Sequence, residues 1–115
     1  MKDLDSLRVA IAEFARERDW DQFHSPKNLA MALSVEVAEL LEHFQWLTED
    51  EARELDAETL ARVADEIADV QIYLLRIADK LGVDVLDACT HKLEKNAEKY
   101  PVAKAKGTAR KYTDL

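Results

Sequence analysis

Apolar residues recur along this chain at intervals of three and four, the period of a helix with one buried face. Leu7, Ile11, Phe14 and Ala15 predict a first helix over roughly Ser6–Arg18, with Asp5 placed to cap it. Ser25-Pro26 has the form of an N-cap followed by proline at the first helical position. A second helix is expected from there to about Trp46, with Leu29, Leu33, Val37, Leu40, Leu41 and Phe44 as its core face. Thr48-Glu49-Asp50-Glu51 is a capping box that opens a short helical turn. Asp56 caps a third long helix carrying Leu60, Val63, Ile67, Val70, Leu74, Ile77 and Leu81, and Gly82 is placed to stop it. Asp84 caps a fourth, from Val85 to about Tyr100, which Pro101 ends. The expectation is an all-α, four-helix bundle forming one domain over residues 1–115, with 102–115 as a basic tail.

Composition narrows the function without changing that picture. Two glycines and two prolines in 115 residues are too few for the turns of an all-β chain. Sixteen basic against twenty-four acidic residues give a net charge of −8, which argues against a primary nucleic-acid binder. Cys89 is the sole cysteine, so no intrachain disulfide can form, and it is expected to be a small buried residue. With His24, His43 and His91 it makes no zinc-ligand spacing. No apolar run approaches the roughly eighteen residues of a membrane span, and the N-terminus has no signal-like apolar core. A cytoplasmic protein with no membrane partner is expected.

The chemistry lies in two short acidic patterns, Glu36-Val37-Ala38-Glu39 on the second helix and Glu66-Ile67-Ala68-Asp69 on the third. Spacing of i, i+3 puts each pair on one face. Taken singly, such pairs are commonly solvated surface. Their placement argues otherwise. At about 100° per residue, Glu36 and Glu66 each lie about 60° from the centre of their helix's apolar face, and Glu39 and Asp69 about 120°, in the same rotational sense. Two antiparallel helices packed through those faces are related by an approximate two-fold axis, so equal offsets project to one side. The linker of roughly ten residues allows that hairpin. Four converging carboxylates repel unless a cation lies between them. Oxygen-only ligands call for Mg²⁺, or Mn²⁺, and Mg²⁺ points to phosphoryl chemistry on a nucleotide. A ferritin-like di-iron site needs Glu-x-x-His, and none of the three histidines has Glu three residues before it.

Tyr73 follows Asp69 by four residues and so joins the acidic stripe. Trp20, Phe23, His24 and Trp46 flank the ends of the second helix. Aromatics there either close the core or form a slot in which a base stacks, with His24 as its polar edge. Lys92, Lys95 and Lys99, with Asn96, either make a solvated face paired with Glu94 and Glu98 or reach phosphate oxygens. A different class of function also fits the acidic stripe: a helical dimerisation or adaptor module that binds a basic partner.

With these features in view the chain resembles the MazG-like, all-α nucleoside triphosphate pyrophosphatase superfamily, and within it the dCTP pyrophosphatase group. The superfamily pattern is Glu36-x-x-Glu39 followed by Glu66-x-x-Asp69. The group is matched by Glu17-Arg18-Asp19-Trp20-Asp21-Gln22-Phe23-His24, Asn28-Leu29, Phe44-Gln45-Trp46, Ile72-Tyr73-Leu74, Tyr100-Pro101 and Arg110-Lys111-Tyr112-Thr113, in order from about Phe14 to the end. The resemblance implies a Mg²⁺-dependent enzyme that converts a nucleoside triphosphate, of deoxycytidine type or a modified form of it, to the monophosphate and pyrophosphate. It makes Glu36, Glu39, Glu66 and Asp69 metal ligands, with Glu39 the preferred group to position the water. Trp20, His24, Trp46 and Tyr73 match positions that hold base and sugar, and Asp21, Gln22 and Phe23 match as part of one block. Lys92 and Asn96 match a lysine and an asparagine carried over as phosphate or sugar contacts. Ile11 stands near where the group can carry a histidine, and it cannot donate a hydrogen bond. The resemblance also implies a homo-oligomer, dimers pairing into tetramers, with sites near subunit interfaces.

Overall fold

The computed structural model describes all 115 residues and is helical with no strand. Helix α1 spans Leu4–Glu17, α2 Pro26–Glu42, α3 Glu49–Arg53, α4 Ala57–Leu81, α5 Val85–Lys99 and α6 Val102–Ala105. Single 3₁₀ turns at Asp21–Phe23 and Tyr112–Asp114 complete the chain. No helix is long and apolar enough to cross a membrane.

Local chemistry sets most of these boundaries. The Ser25 side chain accepts from the Asn28 amide with Pro26 at the first helical position. Thr48 and Glu51 bond reciprocally. Asp56 and Asp84 cap α4 and α5 through the amides of Thr59 and Asp87. Gly82, at φ +68°, closes α4 in the left-handed conformation that glycine adopts without strain. Two boundaries differ from the sequence expectation. Asp3, not Asp5, caps α1, because Ser6 at the third helical position completes its capping box. Helix α2 stops at Glu42, and residues 43–46 follow as turns rather than as its last turn.

The chain divides into two compact units, Met1–Gly82 and Val83–Leu115. In the first, α2 and α4 make the principal contact, with α1 laid against α4. His24, just before α2, meets Arg76 late in α4, whereas His43, just after α2, meets Glu66 nearer its start. The two helices therefore run antiparallel. Leu29, Val63, Leu75, Ala78 and Ala15 form the buried centre. The expected core faces are only partly buried. Leu60, Ile67, Leu74 and Leu81 are 45–58% exposed, and Val37 and Leu41 are exposed with them. Spaced by seven along α4, Leu60, Ile67, Leu74 and Leu81 make a separate stripe beside the face that meets α2.

The second unit comprises α5, α6 and the C-terminal turn. Tyr112 packs edge-on to Tyr100, and the Lys99 ammonium lies over the Tyr112 ring at 4.9 Å. Cys89 is exposed, contrary to expectation. It lies on α5, whose residues are exposed from Leu86 through Lys95, so residue type alone does not bury it.

Candidate active site

Helices α2 and α4 bring their acids together. Carboxylate oxygens of Glu36, Glu39 and Glu66 lie within 4.8 Å of one another. Asp69, one turn beyond Glu66, is outside that trio and exposed, but its charge still acts on Glu36 and Glu66. Oε2 of Glu36 and Oε2 of Glu66 are buried with no hydrogen-bond partner. A buried carboxylate oxygen without a donor is costly, and helices rarely leave two of them together. Burial, then contact with Glu39 and the charges of Glu39, Asp69 and Glu66, pushes the Glu36 carboxyl up to about 7. Burial and the Glu39 and Asp69 charges raise Glu66 as well, against an opposing pull from His43. His43 Nε2 lies 3.8 Å from Glu66 Oε1, a partner the sequence did not suggest. Two orphaned oxygens in an all-carboxylate cluster fit a hard divalent cation, which supplies the missing positive charge.

Beside the acids is a cavity of about 240 Å³ lined by Ile11, Phe14, Ala15, Trp20, His24, Leu29, Asp69, Ile72, Tyr73 and Arg76. Asp69 and Tyr73 are its link to the acidic stripe, and the volume approaches the lower range of small-ligand sites. Its aromatic wall is placed by the end of α1. Asp19 takes φ +55°, a left-handed conformation that Asp tolerates better than most residues. The Trp20 amide then donates to the Ala15 carbonyl at 2.9 Å and the Asp19 amide to Arg16 at 3.1 Å, a Schellman closure. The Gln22 side chain donates to the Asp19 carbonyl and carboxylate, bracing that turn. Trp20 is left edge-on to Phe14 at 5.8 Å and to His24 at 6.5 Å.

His24 is held from behind. Arg76 Nε donates to its Nδ1 at 3.1 Å, and Arg76 Nη2 donates to Asp21 at 2.6 Å. Burial, then the charges of Arg76 and Lys80, lowers the imidazole's affinity for a second proton, with Asp21 opposing. Lys80 also pairs with Asp21 and, ahead of Arg76, holds that carboxyl below the usual carboxylate range. Arg76 was not singled out from sequence. Its signal is a lone charge inside Leu74-Leu75-Arg76-Ile77, where an unpaired cation would be expensive.

Trp46 is 86% exposed and lines a different hollow of about 490 Å³ with Glu42, His43, Asp56 and Arg62. Phe23 is exposed, and its carbonyl accepts from the Asn28 side chain. Lys92 and Asn96 lie on α5 in the second unit, Lys92 exposed and Asn96 half-buried.

The α2–α4 hairpin carries the Glu36-x-x-Glu39 and Glu66-x-x-Asp69 pattern on which the family resemblance rests. The chain belongs to the MazG-like family, which matches it over residues 31–115. It is 44% identical to dCTP pyrophosphatase 1 of Mus musculus over 114 residues, covering 97% of this chain and 67% of that one. The Homo sapiens dCTP pyrophosphatase 1 is also 44% identical, with the same coverage. A pyrophosphatase of known crystal structure from Archaeoglobus fulgidus is 45% identical and superposes with a TM-score of 0.80, over 84% of this chain and 91% of that one.

Proposed function

We propose that the chain is a Mg²⁺-dependent nucleoside triphosphate pyrophosphohydrolase that converts a deoxycytidine-type triphosphate, plain or modified, to the monophosphate and pyrophosphate. The observation that carries this reading is the pair of orphaned carboxylate oxygens, from two helices, beside an aromatic cavity. The named activity of relatives that share nearly half the sequence supports it.

In this reading Glu36, Glu39, Glu66 and Asp69 hold Mg²⁺, for which Mn²⁺ can substitute. When bound there, the cation would supply positive charge to offset that gathering on the phosphate oxygens in the transition state. Glu39 orients the attacking water toward the α-phosphorus. A new P–O bond forms there, the bond from the α-phosphorus to the α–β bridging oxygen breaks, the water gives up a proton to solvent, and pyrophosphate leaves with the bridging oxygen. Trp20, His24 and Tyr73 receive the base and sugar in the cavity, with Gln22 bracing the turn behind it and Asp21 pairing with the Arg76 that holds His24. Removal of surplus deoxycytidine-type precursors is the cellular role that follows.

The test is a panel of nucleoside triphosphates with Mg²⁺ in ¹⁸O-labelled water. Label is expected in the monophosphate, with unlabelled pyrophosphate as co-product and the pyrimidine deoxynucleotides turned over fastest. Release of orthophosphate overturns the cleavage site. No turnover of any nucleotide, with binding of a basic protein partner instead, favours an adaptor.

The stripe of Leu60, Ile67, Leu74 and Leu81 supports a second copy of the chain as its occupant, because seven-residue spacing of large apolar groups is the seam of paired helices. A dimer, or dimers paired into a tetramer, is the assembly proposed. Sedimentation of the full chain is expected to give an oligomer that Leu74→Lys shifts to a lower mass. A wild-type chain that sediments as a monomer at micromolar concentration contradicts this.

A further inference from the structure

Arg76 is 5% exposed, yet none of its nitrogens lacks an acceptor. Nε donates to His24 Nδ1 at 3.1 Å, Nη2 to Asp21 Oδ1 at 2.6 Å and Nη1 to Asp79 Oδ2 at 3.3 Å. Asp79 is gripped from its other side by Arg8 of α1, at 3.1 Å, and Asp21 by Lys80. The guanidinium is thus fixed by two carboxylates, each with a second cation, and it fixes the imidazole in turn.

That contact dictates where the proton of His24 sits. An arginine Nε–H can only donate. The ring nitrogen facing it must therefore offer a lone pair. A neutral imidazole with a bare Nδ1 carries its single proton on Nε2. Protonating both nitrogens would set two donors head to head and add a cation beside Arg76 and Lys80. The ring is held as the neutral Nε2–H tautomer, and Nε2 is the nitrogen left for a ligand.

The cavity makes that proton informative. Ile11, Phe14, Ala15, Leu29 and Ile72 contribute apolar wall, and the Arg76 nitrogens are already committed. We propose that Arg76 is a positioning residue that sets base preference: by fixing the His24 tautomer it makes the ring an obligate hydrogen-bond donor toward the base. A base with an acceptor on the edge that meets the ring, such as the ring carbonyl of a pyrimidine, satisfies it. A base that presents an amino group there leaves two donors facing each other, and a site built to pair with one polar group discriminates strongly against such a mismatch. This inference rests on the nucleotide reading of the cavity.

The test uses the full chain with ¹⁵N-labelled imidazoles and long-range ¹H–¹⁵N correlation spectra. Without nucleotide, His24 is expected to show an unprotonated Nδ1 and a protonated Nε2. Addition of Mg²⁺ and a non-hydrolysable α,β-imido pyrimidine deoxynucleoside triphosphate is expected to shift Nε2 and leave Nδ1 bare. In Arg76→Lys, which keeps a cation but loses the Nε donor, the two nitrogens are expected to move toward an averaged tautomer. KM for the pyrimidine substrate should rise about tenfold, the worth of one hydrogen bond, and by more than kcat falls. If that variant does not fold, the wild-type spectra decide alone. A proton on Nδ1 in the free protein, or a bound analogue that leaves Nε2 unmoved while pyrophosphate release is intact, overturns the inference and spares the enzymatic reading. Absence of both nucleotide binding and pyrophosphate release overturns the two together.

Discussion

Glu36→Gln is expected to cut pyrophosphate release by at least about a hundredfold, the scale of losing one charge-stabilising group from a preorganised site, while raising the melting temperature in metal-free buffer. The two effects share one cause. Glu36 contributes a buried oxygen with no donor, next to Glu39 and Glu66. Without a cation, its ionised form bears the cost of burial and of like charge. Burial and like charge push this carboxyl from its ordinary 4.5 up to about 7 in the folded chain, so the native chain binds the extra proton between those values. A carboxyl raised in this way leaves stability intact below the lower value and erodes it as pH rises through the higher one. The wild-type melting temperature should accordingly fall from pH 4.5 to 7 relative to Glu36→Gln, and the gap should level off above. Relief worth about 1 kcal/mol corresponds to roughly 4–8 °C in a domain of this size. Added Mg²⁺ should stabilise the wild type and have little effect on the variant, since only a ligand that prefers the native state raises its melting point. Thermal melts across pH, with EDTA or Mg²⁺, check both. A variant less stable than the wild type at pH 8 in EDTA contradicts the account.

Arg76→Ala is expected to be among the most damaging single changes to the fold. It removes one cation and leaves Asp79 with Arg8 alone, Asp21 with Lys80 alone and His24 without its donor. Breaking a buried ion pair by deleting one member costs about 3–5 kcal/mol. Asp21 is largely exposed and water can reclaim it, so the low end of that range applies here. A fall of roughly 10–20 °C in melting temperature follows. Arg76→Met, which restores aliphatic volume but no donor, should recover only part of it. Calorimetry or circular dichroism melts decide; a loss under about 3 °C would show that the network adds little.

Much of the architecture was legible because local chemistry specifies it. Ser25-Pro26, the Thr48–Glu51 box, Asp56, Gly82 and Asp84 each punctuate a helix at the position where the chain uses them. Asp3 and Asp5 could not be separated by residue type, since both are good caps; the partner at Ser6 chooses between them. The meeting of Glu36, Glu39 and Glu66 was legible for a geometric reason, because equal angular offsets on antiparallel helices must converge. Asp69 stands farther out, at the rim shared with the cavity, which angular offsets alone do not resolve.

The rest depended on contacts distant in sequence. Arg76 meets His24 and Asp21 across more than fifty residues, and no local spacing encodes that. His43 beside Glu66 is a similar case. Leu60, Ile67, Leu74 and Leu81 looked like core because hydrophobic periodicity reports that a face is covered and not by what. Trp46 carries the same lesson in reverse, since an aromatic at a helix end proves largely exposed.

The central claim is that helices α2 and α4 share one cation site. Mn²⁺ binding, followed by electron paramagnetic resonance in the wild type, Glu36→Gln and Glu66→Gln, tests it directly. Loss of a carboxylate from either helix is expected to weaken Mn²⁺ by tenfold or more, as removal of one of few charged ligands should. Wild-type affinity in either variant would mean that the two helices do not hold one ion between them.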